Sequence, residues 1–279
     1  LTVGGDYGQQ DEVTIGTEDN KRILLGTPTR NIFDQWSADV QATFRPGHDL
    51  RHIWRAKWTN ASVQDTVIER NPDYFIPGAS HMNYITLGYT LAYDHRDSRT
   101  FPLNGPYADV SIDQYGIGRS TPQVTTLTST IQRSWRRGER WSFGGSVKGK
   151  TTLGGRVPYS VQEGLGYEDY VRGYEYYVID GQHFFLGKVN FLFALLTPED
   201  YRVEPIPVES FRTLHLAIYL NAFTDQGYVW DDQHAGENFL ANTWQHGYGI
   251  GVDLVTSYDQ IVRVEYAVNA LSETAFYLH

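Results

Sequence analysis

The chain contains no cysteine, one methionine and no uninterrupted run of 18 apolar residues. The missing apolar run excludes a conventional transmembrane helix, and the mean hydropathy of −0.43 agrees with this. The criterion does not address membrane β-barrels, in which every second residue faces lipid and the average stays near that of a soluble protein. The lack of cysteine fits an oxidising compartment, although cytosolic proteins can also lack it.

Positive charge is also scarce. The chain has 23 basic and 33 acidic residues, for a net charge of −10. No basic stripe is available to neutralise phosphates, so we do not expect a nucleic acid among the partners.

Aromatic residues, by contrast, are abundant, with 20 Tyr, 13 Phe and 7 Trp making up 14% of the chain. Tyr and Trp in this number suit the interfacial girdles of a membrane barrel, where a ring lies among lipid headgroups with its polar tip in water. Composition alone leaves a second interpretation open, which is an aromatic-rich soluble β-sandwich.

Apolar and polar residues alternate with the period of two that is typical of β-strands. Seven segments follow this rule: Gln35–Arg45, Trp54–Thr59, Tyr84–Asp94, Phe185–Leu195, Leu214–Asn221, Gly247–Leu254 and Val262–Val268. Weaker candidates are Glu12–Thr17, Arg22–Gly26, Pro106–Gln114, Val124–Arg136, Trp141–Leu153 and the short final segment Thr274–His279. The polar faces contain charged residues within long strands, which suits a wet barrel lumen. The alternation itself does not settle which face is inside.

We find no helical segment of normal length and no repeat, so a single all-β domain over residues 1–279 is expected. The longest stretch without alternation is Gly154–Gly181, rich in Gly, Tyr and acidic residues. A loop of this length is usually functional or disordered, and its tyrosines argue against disorder. It contains the tetrapeptide Val171-Arg172-Gly173-Tyr174.

Around this tetrapeptide, Glu168–Gly181 and the strand after it resemble the conserved loop and next strand of the BamA/TamA outer-membrane assembly superfamily, also called bacterial surface antigens. Three further stretches resemble motifs of that family in the same order. They are Tyr93–Gly105, Asp225–Trp230 and Gly249–Tyr266. The resemblance spans about residues 80–279, and the order of the four motifs makes it specific.

The resemblance implies a transmembrane antiparallel β-barrel, with 16 strands in the complete protein, whose VRGY loop folds back into the lumen. We therefore expect residues 1–279 to be an outer-membrane barrel domain of a Gram-negative-type bacterium. The periplasmic POTRA repeats and the first strands are expected to be missing from this chain.

An arginine carried into a barrel interior needs an acidic partner, because an unpaired charge there loses its hydration. Parity places Asp225 on the face of Tyr219 and Asn221, and Asp253 on the glycine face of its strand. We expect Arg172 to pair with Asp225 first and Asp253 second, by the bidentate geometry that guanidinium allows. The alternative is a solvated loop residue.

Three glycines, Gly247, Gly249 and Gly251, share one face of a predicted strand. They leave either a bare groove against which the loop presses, or a strand relieved of crowding, and the sequence does not decide between these. Gly173 is expected to allow the chain reversal at the loop tip. Arg263 and Glu265 are expected to pair across strands as part of the scaffold.

Asp94-His95-Arg96-Asp97 carries a single histidine between carboxylates and lacks a second ligand at metal spacing. No serine or cysteine nucleophile is marked either. We therefore expect no catalytic residue, no metal, no cofactor and no enzymatic activity.

The resemblance implies an insertase or translocator that assembles β-barrel proteins through lateral opening between its first and last strands. Its expected partners are unfolded outer-membrane client proteins, outer-membrane lipids, and accessory periplasmic or lipoprotein subunits. Two alternatives stay open, a pore or translocator dedicated to one solute or polypeptide, and an anchor for an attached or partner enzyme.

Overall fold

The computed structural model describes residues 1–26, 31–75, 78–117, 122–202, 213–233, 236, 238–256 and 260–279, with the backbone alone at 199–202 and 213–215. Most of them are in β-strands. The strands are β1 (Thr2–Gln10), β2 (Glu12–Glu18), β3 (Lys21–Gly26), β4 (Phe33–Phe44), β5 (Leu50–Val63), β6 (His81–Asp94), β7 (Gly105–Tyr115), β8 (Val124–Arg137), β9 (Trp141–Gly154), β10 (His183–Arg202), β11 (Thr213–Trp230), β12 (Trp244–Thr256), β13 (Ile261–Asn269) and β14 (Thr274–Leu278). A six-residue helix α1 (Asp65–Arg70) and a 3₁₀ turn (Tyr159–Val161) complete them.

Twelve strands form one sheet in the order β1-β4-β5-β6-β7-β8-β9-β10-β11-β12-β13-β14. Every neighbouring pair is antiparallel, and after β4 each strand pairs with the next one in the chain, as short connections favour. Strands β2 and β3, which lie between β1 and β4 in the sequence, pair only with each other and form a separate hairpin. None of the described helices has both the length and the apolar character needed to cross a membrane.

The apolar face of the sheet is the exposed one. Ile131 is 63% exposed and Trp36 is 54% exposed, whereas Asp225 on the opposite face is fully buried. A soluble sandwich shows the reverse arrangement, and a continuous apolar outer surface is typical of a sheet that faces lipid. The structure therefore answers the question that the alternation left open, and it excludes the soluble sandwich.

Connections of very different length lie at the two ends of the sheet. The connections that follow β1, β5, β7, β9, β11 and β13 leave from one end, the long-loop end, which carries residues 155–182. Those that follow β4, β6, β8, β10 and β12 leave from the other, the short-turn end, which carries 45–49, 95–104 and 138–140. Buried apolar clusters close the space between the sheet and these connections. At the long-loop end they include Phe75 and Leu165, and at the short-turn end Phe101 and Leu103.

The prediction of an all-β antiparallel fold with an inward-folded VRGY loop is confirmed, while the count of 16 strands stays a prediction. The predicted segment bounds needed correction. Strand β4 ends at Phe44, one residue before the predicted end at Arg45. Strand β5 extends beyond the predicted Trp54–Thr59 on both sides, because polar residues interrupt the alternation near the ends of β5.

Two weaker candidates, Glu12–Thr17 and Arg22–Gly26, are strands but lie outside the large sheet. Asp19 and Asn20 both have positive φ, which is the geometry of the tight two-residue turn that joins β2 to β3. Strand β1 was not predicted, because its glycines hide the alternation.

Candidate functional site at the inward-folded loop

The connection between β9 and β10, residues 155–182, turns back against the inner face of the sheet. Its tip is the VRGY tetrapeptide, in which Val171 is 2% exposed, Arg172 4% and Tyr174 3%. Val171 packs with Leu165 and Val229 in a buried apolar cluster. The burial of Arg172 rules out the alternative of a solvated loop residue.

The guanidinium of Arg172 bridges two strands. It donates from Nη2 to Asp225 Oδ1 at 2.6 Å and from Nε to Asp225 Oδ2 at 2.8 Å, the bidentate geometry of an arginine–carboxylate pair. Nη1 donates to Glu265 Oε1 at 3.1 Å. The same group lies 3.8 Å from the centre of the Phe223 ring, within range of a cation–π interaction.

We call Arg172, Asp225, Glu265 and Phe223 the Arg172 anchor. Two further side chains contact its carboxylates. Asn221 Nδ2 donates to Glu265 at 3.0 Å, and Lys188 Nζ lies 3.9 Å from Asp225. Burial alone would lower the pKa of the Arg172 guanidinium, but the hydrogen bonds and charges of Asp225 and Glu265 hold it above its usual value. The side chain therefore stays charged and charge-compensated on the inner face of the sheet.

The rest of the tip docks on the end of β13. Gly173 has φ +94°, a conformation that favours glycine, as the expected chain reversal requires. Its carbonyl accepts from Asn269 Nδ2 at 2.8 Å, and the Tyr174 hydroxyl accepts from the Ala270 backbone N–H at 3.2 Å. The tip is thus fixed by backbone as well as charged contacts.

The three glycines of β12 do different things. A Cβ at Gly247 would overlap with the carbonyl oxygen of Arg172, so the loop presses directly on this position. At Gly249 the space is taken by the β13 backbone and the Phe223 ring, and at Gly251 by the Val264 carbonyl and the Glu265 side chain. The loop groove therefore exists at Gly247, and the other two glycines make room for the backbone of β13 together with side chains of the Arg172 anchor.

Asp253 does not reach Arg172, and its assignment as a partner of the loop needed correction. It is fully buried and pairs with Arg263 directly across on β13, at 2.6 and 3.0 Å. Arg263 thus pairs across strands as expected. Glu265 departs from that expectation, because its carboxylate faces Arg172.

A second anchor holds the base of the loop. The carboxylate of Asp180, 1% exposed, accepts from Thr17 Oγ1 at 2.8 Å, from the Tyr159 hydroxyl at 3.2 Å and from the Tyr167 hydroxyl. We call these four residues the Asp180 anchor. Burial raises the pKa of the Asp180 carboxyl, and the three hydroxyl donors oppose this shift.

Thr17 belongs to the β2–β3 hairpin, so the Asp180 anchor ties that hairpin to the loop. Fully buried Asn20 at the hairpin turn extends the contact, because its Nδ2 donates to the Val178 carbonyl at 3.2 Å. The backbone N–H of Leu240 donates to the Asn20 side chain at 2.9 Å. The hairpin is thereby joined to both the loop and the connection after β11.

Comparison with protein families decides the assignment. Residues 25–273 match the model of the Omp85 superfamily domain. The chain belongs to the Omp85 superfamily. The match covers most of the chain, and it agrees with the resemblance carried by the four sequence motifs.

Among solved structures, the Omp85 chain is similar to BamA from Haemophilus ducreyi lacking POTRA domains 1–3. The two are 14% identical with a TM-score of 0.65, and the match covers 90% of this chain and 54% of that one. At this identity the likeness concerns the fold. The chain spans about half the length of that BamA structure. No curated protein matches the chain in sequence.

Family and fold together make this an outer-membrane β-barrel protein. Bacterial barrels of this kind have short periplasmic turns and longer extracellular loops. By that rule the long-loop end, with residues 155–182, is extracellular, and the short-turn end is periplasmic.

The Asp94-His95-Arg96-Asp97 stretch lies at the periplasmic end of this Omp85 barrel. Asp94 is paired with Arg96 at 2.8 Å, with Arg99 at 3.2 Å and with Arg51 at 3.4 Å. Exposed His95 lies 2.9 Å from Asp49. In the described part of the chain no group of three metal-ligating side chains is assembled.

Sequence reasoning missed several members of the two anchors. Glu265 has the same parity as Arg263, so its inward direction was readable, but the depth that Arg172 reaches was not. Asp180 lies inside the loop, and its partners Thr17 and Tyr159 come from distant segments. No spacing rule connects residues of this kind.

Proposed function

We propose that this Omp85 barrel is a membrane-embedded insertase or translocator that assembles β-barrel proteins into the outer membrane by opening laterally between its first and last strands. The observation that supports it most is the Arg172 anchor, which clamps loop 155–182 to β11 and β13 from inside the barrel. A clamp in this position keeps the wall next to β14 rigid while the edge itself separates.

Opening between two strands of a barrel exposes backbone N–H and C=O groups that were paired within the sheet. Such an edge is a template for pairing with a further strand. A client strand then pairs with the released edge, by the same backbone hydrogen bonding that joins strands within a sheet.

The proposal involves no covalent chemistry, catalytic side chain or cofactor. Its partners are unfolded outer-membrane client proteins, with accessory periplasmic or lipoprotein subunits that deliver them. A translocator or pore dedicated to one substrate, or an anchor for an enzyme, would share the same loop, so the functional test must separate these activities.

The test is depletion of the full-length protein in its native cell, followed by quantitative proteomics of the outer membrane. Broad loss of many unrelated barrel proteins would support the assembly function. Loss of one protein or one uptake activity, with other barrels unchanged, would replace it with a dedicated translocator, pore or anchor.

Complementation of the depleted cells links the result to the site. Arg172→Ala is expected to restore the outer-membrane barrels poorly. Arg156→Ala changes an exposed arginine of the same loop and is expected to restore them fully. Equal rescue by both variants would remove the Arg172 anchor from the mechanism.

A further inference from the structure

The outer face of β8 carries two arginines in a row of side chains that otherwise faces lipid. Ile131 and Trp135 are exposed on this face, and Arg133 lies between them in the alternation of the strand. Arg137 follows at the end of β8, beside the short periplasmic turn 138–140. A charged side chain on the lipid face of a barrel is unfavourable unless it reaches a polar partner.

In the part of the chain that the structure describes, neither of these two arginines has an acidic partner. The Arg133 guanidinium lies 5.8 Å from the centre of the Trp135 ring, which directs it along the strand toward Arg137. Within the described residues, the arginines in ion pairs are Arg51, Arg96, Arg99, Arg156, Arg172 and Arg263. Arg133 and Arg137 are thus exposed cations without a protein anion in that part of the chain.

An apolar groove begins next to these arginines. Trp141 on β9 is the direct cross-strand neighbour of Arg137 and forms one wall of the groove. The groove has a volume of about 520 Å³ and crosses the outer face of the sheet as far as β14. Its lining is almost entirely apolar, including Phe191, Phe193, Ala222, Ile250 and Phe276.

The floor of the groove is formed where a small side chain lies between large ones. Ala222 on β11 pairs with Phe191 on one side and Ile250 on the other. All three side chains belong to the outer face, so the trough between them opens to the hydrocarbon of the membrane. A flexible, unbranched apolar chain fits such a trough.

We propose that this surface is a binding site for an anionic glycerophospholipid of the periplasmic leaflet. The phosphate group lies between Arg133 and Arg137, which are about 13 Å apart along the strand and can converge on it through their long side chains. An acyl chain runs from Trp141 along the groove over Ala222. Phosphate supplies the missing counter-charge, and arginine binds it through charge-assisted hydrogen bonds.

The test measures lipid binding to the purified full-length protein, folded in detergent, by native mass spectrometry. The probes are phosphatidylglycerol and phosphatidylcholine with identical acyl chains. We expect the protein to bind phosphatidylglycerol about tenfold more tightly, because its phosphate carries an uncompensated negative charge, whereas the choline ammonium of phosphatidylcholine neutralises the same phosphate and repels the arginines. Equal affinity for the two lipids would overturn the proposal.

Variants locate the site. Arg133→Gln combined with Arg137→Gln is expected to remove the preference for phosphatidylglycerol. Arg136→Gln, on the opposite face of the same strand, is the matched control and is expected to keep it. A double variant with the parent's preference would contradict the proposed headgroup site.

The groove is tested separately with Ala222→Phe, which fills the floor. This variant is expected to weaken the binding of both lipids to a similar extent, so that the ratio of the two affinities stays at the parent value. Unchanged affinity for both lipids would contradict the acyl-chain site. Heat-modifiable gel mobility checks that each variant is folded, and if the double variant does not fold, Arg137→Gln alone, at the strand end, replaces it.

Discussion

Loop 155–182 is held at two buried points that differ in how charge is balanced. At its tip, the guanidinium of Arg172 binds two carboxylates, Asp225 and Glu265, with Lys188 near the first of them. At its base, the Asp180 anchor sets one carboxylate against three neutral hydroxyl donors. The first joins the loop to β11 and β13, and the second joins it to the β2–β3 hairpin.

This difference predicts how substitutions at each anchor affect the stability of the protein. Removing one partner of a buried ion pair leaves uncompensated charge and costs more than the pair itself contributes. A buried carboxylate held by hydroxyl groups tolerates neutralisation, because the hydroxyls can rotate to donate or to accept. The attachment of the loop tip should therefore depend on charge, and the attachment of the loop base on hydrogen bonding.

The largest effect is expected from Arg172→Ala, which removes from Asp225 and Glu265 the buried cation that both of them bind. We expect the free energy of unfolding to fall by about 3–5 kcal/mol. Denaturant titration of the barrel folded in lipid measures this, and protease cleavage within the loop should accelerate. Arg156→Ala, whose side chain is 57% exposed, should stay within about 1 kcal/mol of the parent.

The next largest effect is expected from Gly247→Ala, because the added methyl group overlaps with the carbonyl of Arg172 and displaces the tip. A loss of about 1–3 kcal/mol in unfolding free energy follows from overpacking of this kind. Gly155→Ala is the control, since a Cβ there meets nothing within 4 Å. Equal stability of the two variants would show that the loop does not press on β12.

At the base, Asp180→Ala and Asp180→Asn should differ. Alanine removes the acceptor of three hydroxyl donors and should cost about 1–3 kcal/mol. Asparagine keeps one acceptor oxygen and adds no charge, so its cost should be smaller. Hydrogen exchange of the β2–β3 hairpin measures both. If asparagine were as damaging as alanine, the negative charge of Asp180 would be essential, contrary to the comparison.

The smallest effect concerns pH. Burial raises the folded-state pKa of Asp180 above its ordinary value of 3.8. An acid whose pKa is raised on folding stabilises the fold while protonated, and this contribution is lost as pH rises from that ordinary value through the folded-state pKa. The protection of β2–β3 backbone amides from hydrogen exchange should therefore weaken as pH rises through this window, after correction for the pH dependence of intrinsic exchange. Asp180→Asn should abolish this pH dependence. If the pH dependence persisted in that variant, it would come from another group.

Part of this architecture was readable from the sequence. Alternation identified β6 and β10–β13, and parity placed Asp225 on the inner face, because a strand fixes the direction of every second side chain. It did not show which face was inside, since lipid-facing and sandwich strands share one pattern. That required the exposure of residues such as Ile131 in the folded sheet.

The long-range contacts of the loop were not readable in the same way. Asp180 and Asn20 are joined to residues that come from separate connections, and no periodicity links such positions. From the sequence, the partner of Arg172 could be chosen between Asp225 and Asp253 only by the alternation of each strand. The strand register makes the choice, because Arg263 lies directly opposite Asp253 and forms an ion pair with its carboxylate.

The most direct test of the account is a double-mutant cycle on unfolding free energy, combining Arg172→Ala with Asp225→Ala. We predict a coupling energy of about 1–3 kcal/mol, because the two side chains form a buried bidentate pair. The parallel cycle of Arg172→Ala with Asp253→Ala should give a much smaller coupling, since Asp253 pairs with Arg263. Additive effects of Arg172 and Asp225 would contradict the anchoring of the loop through this pair.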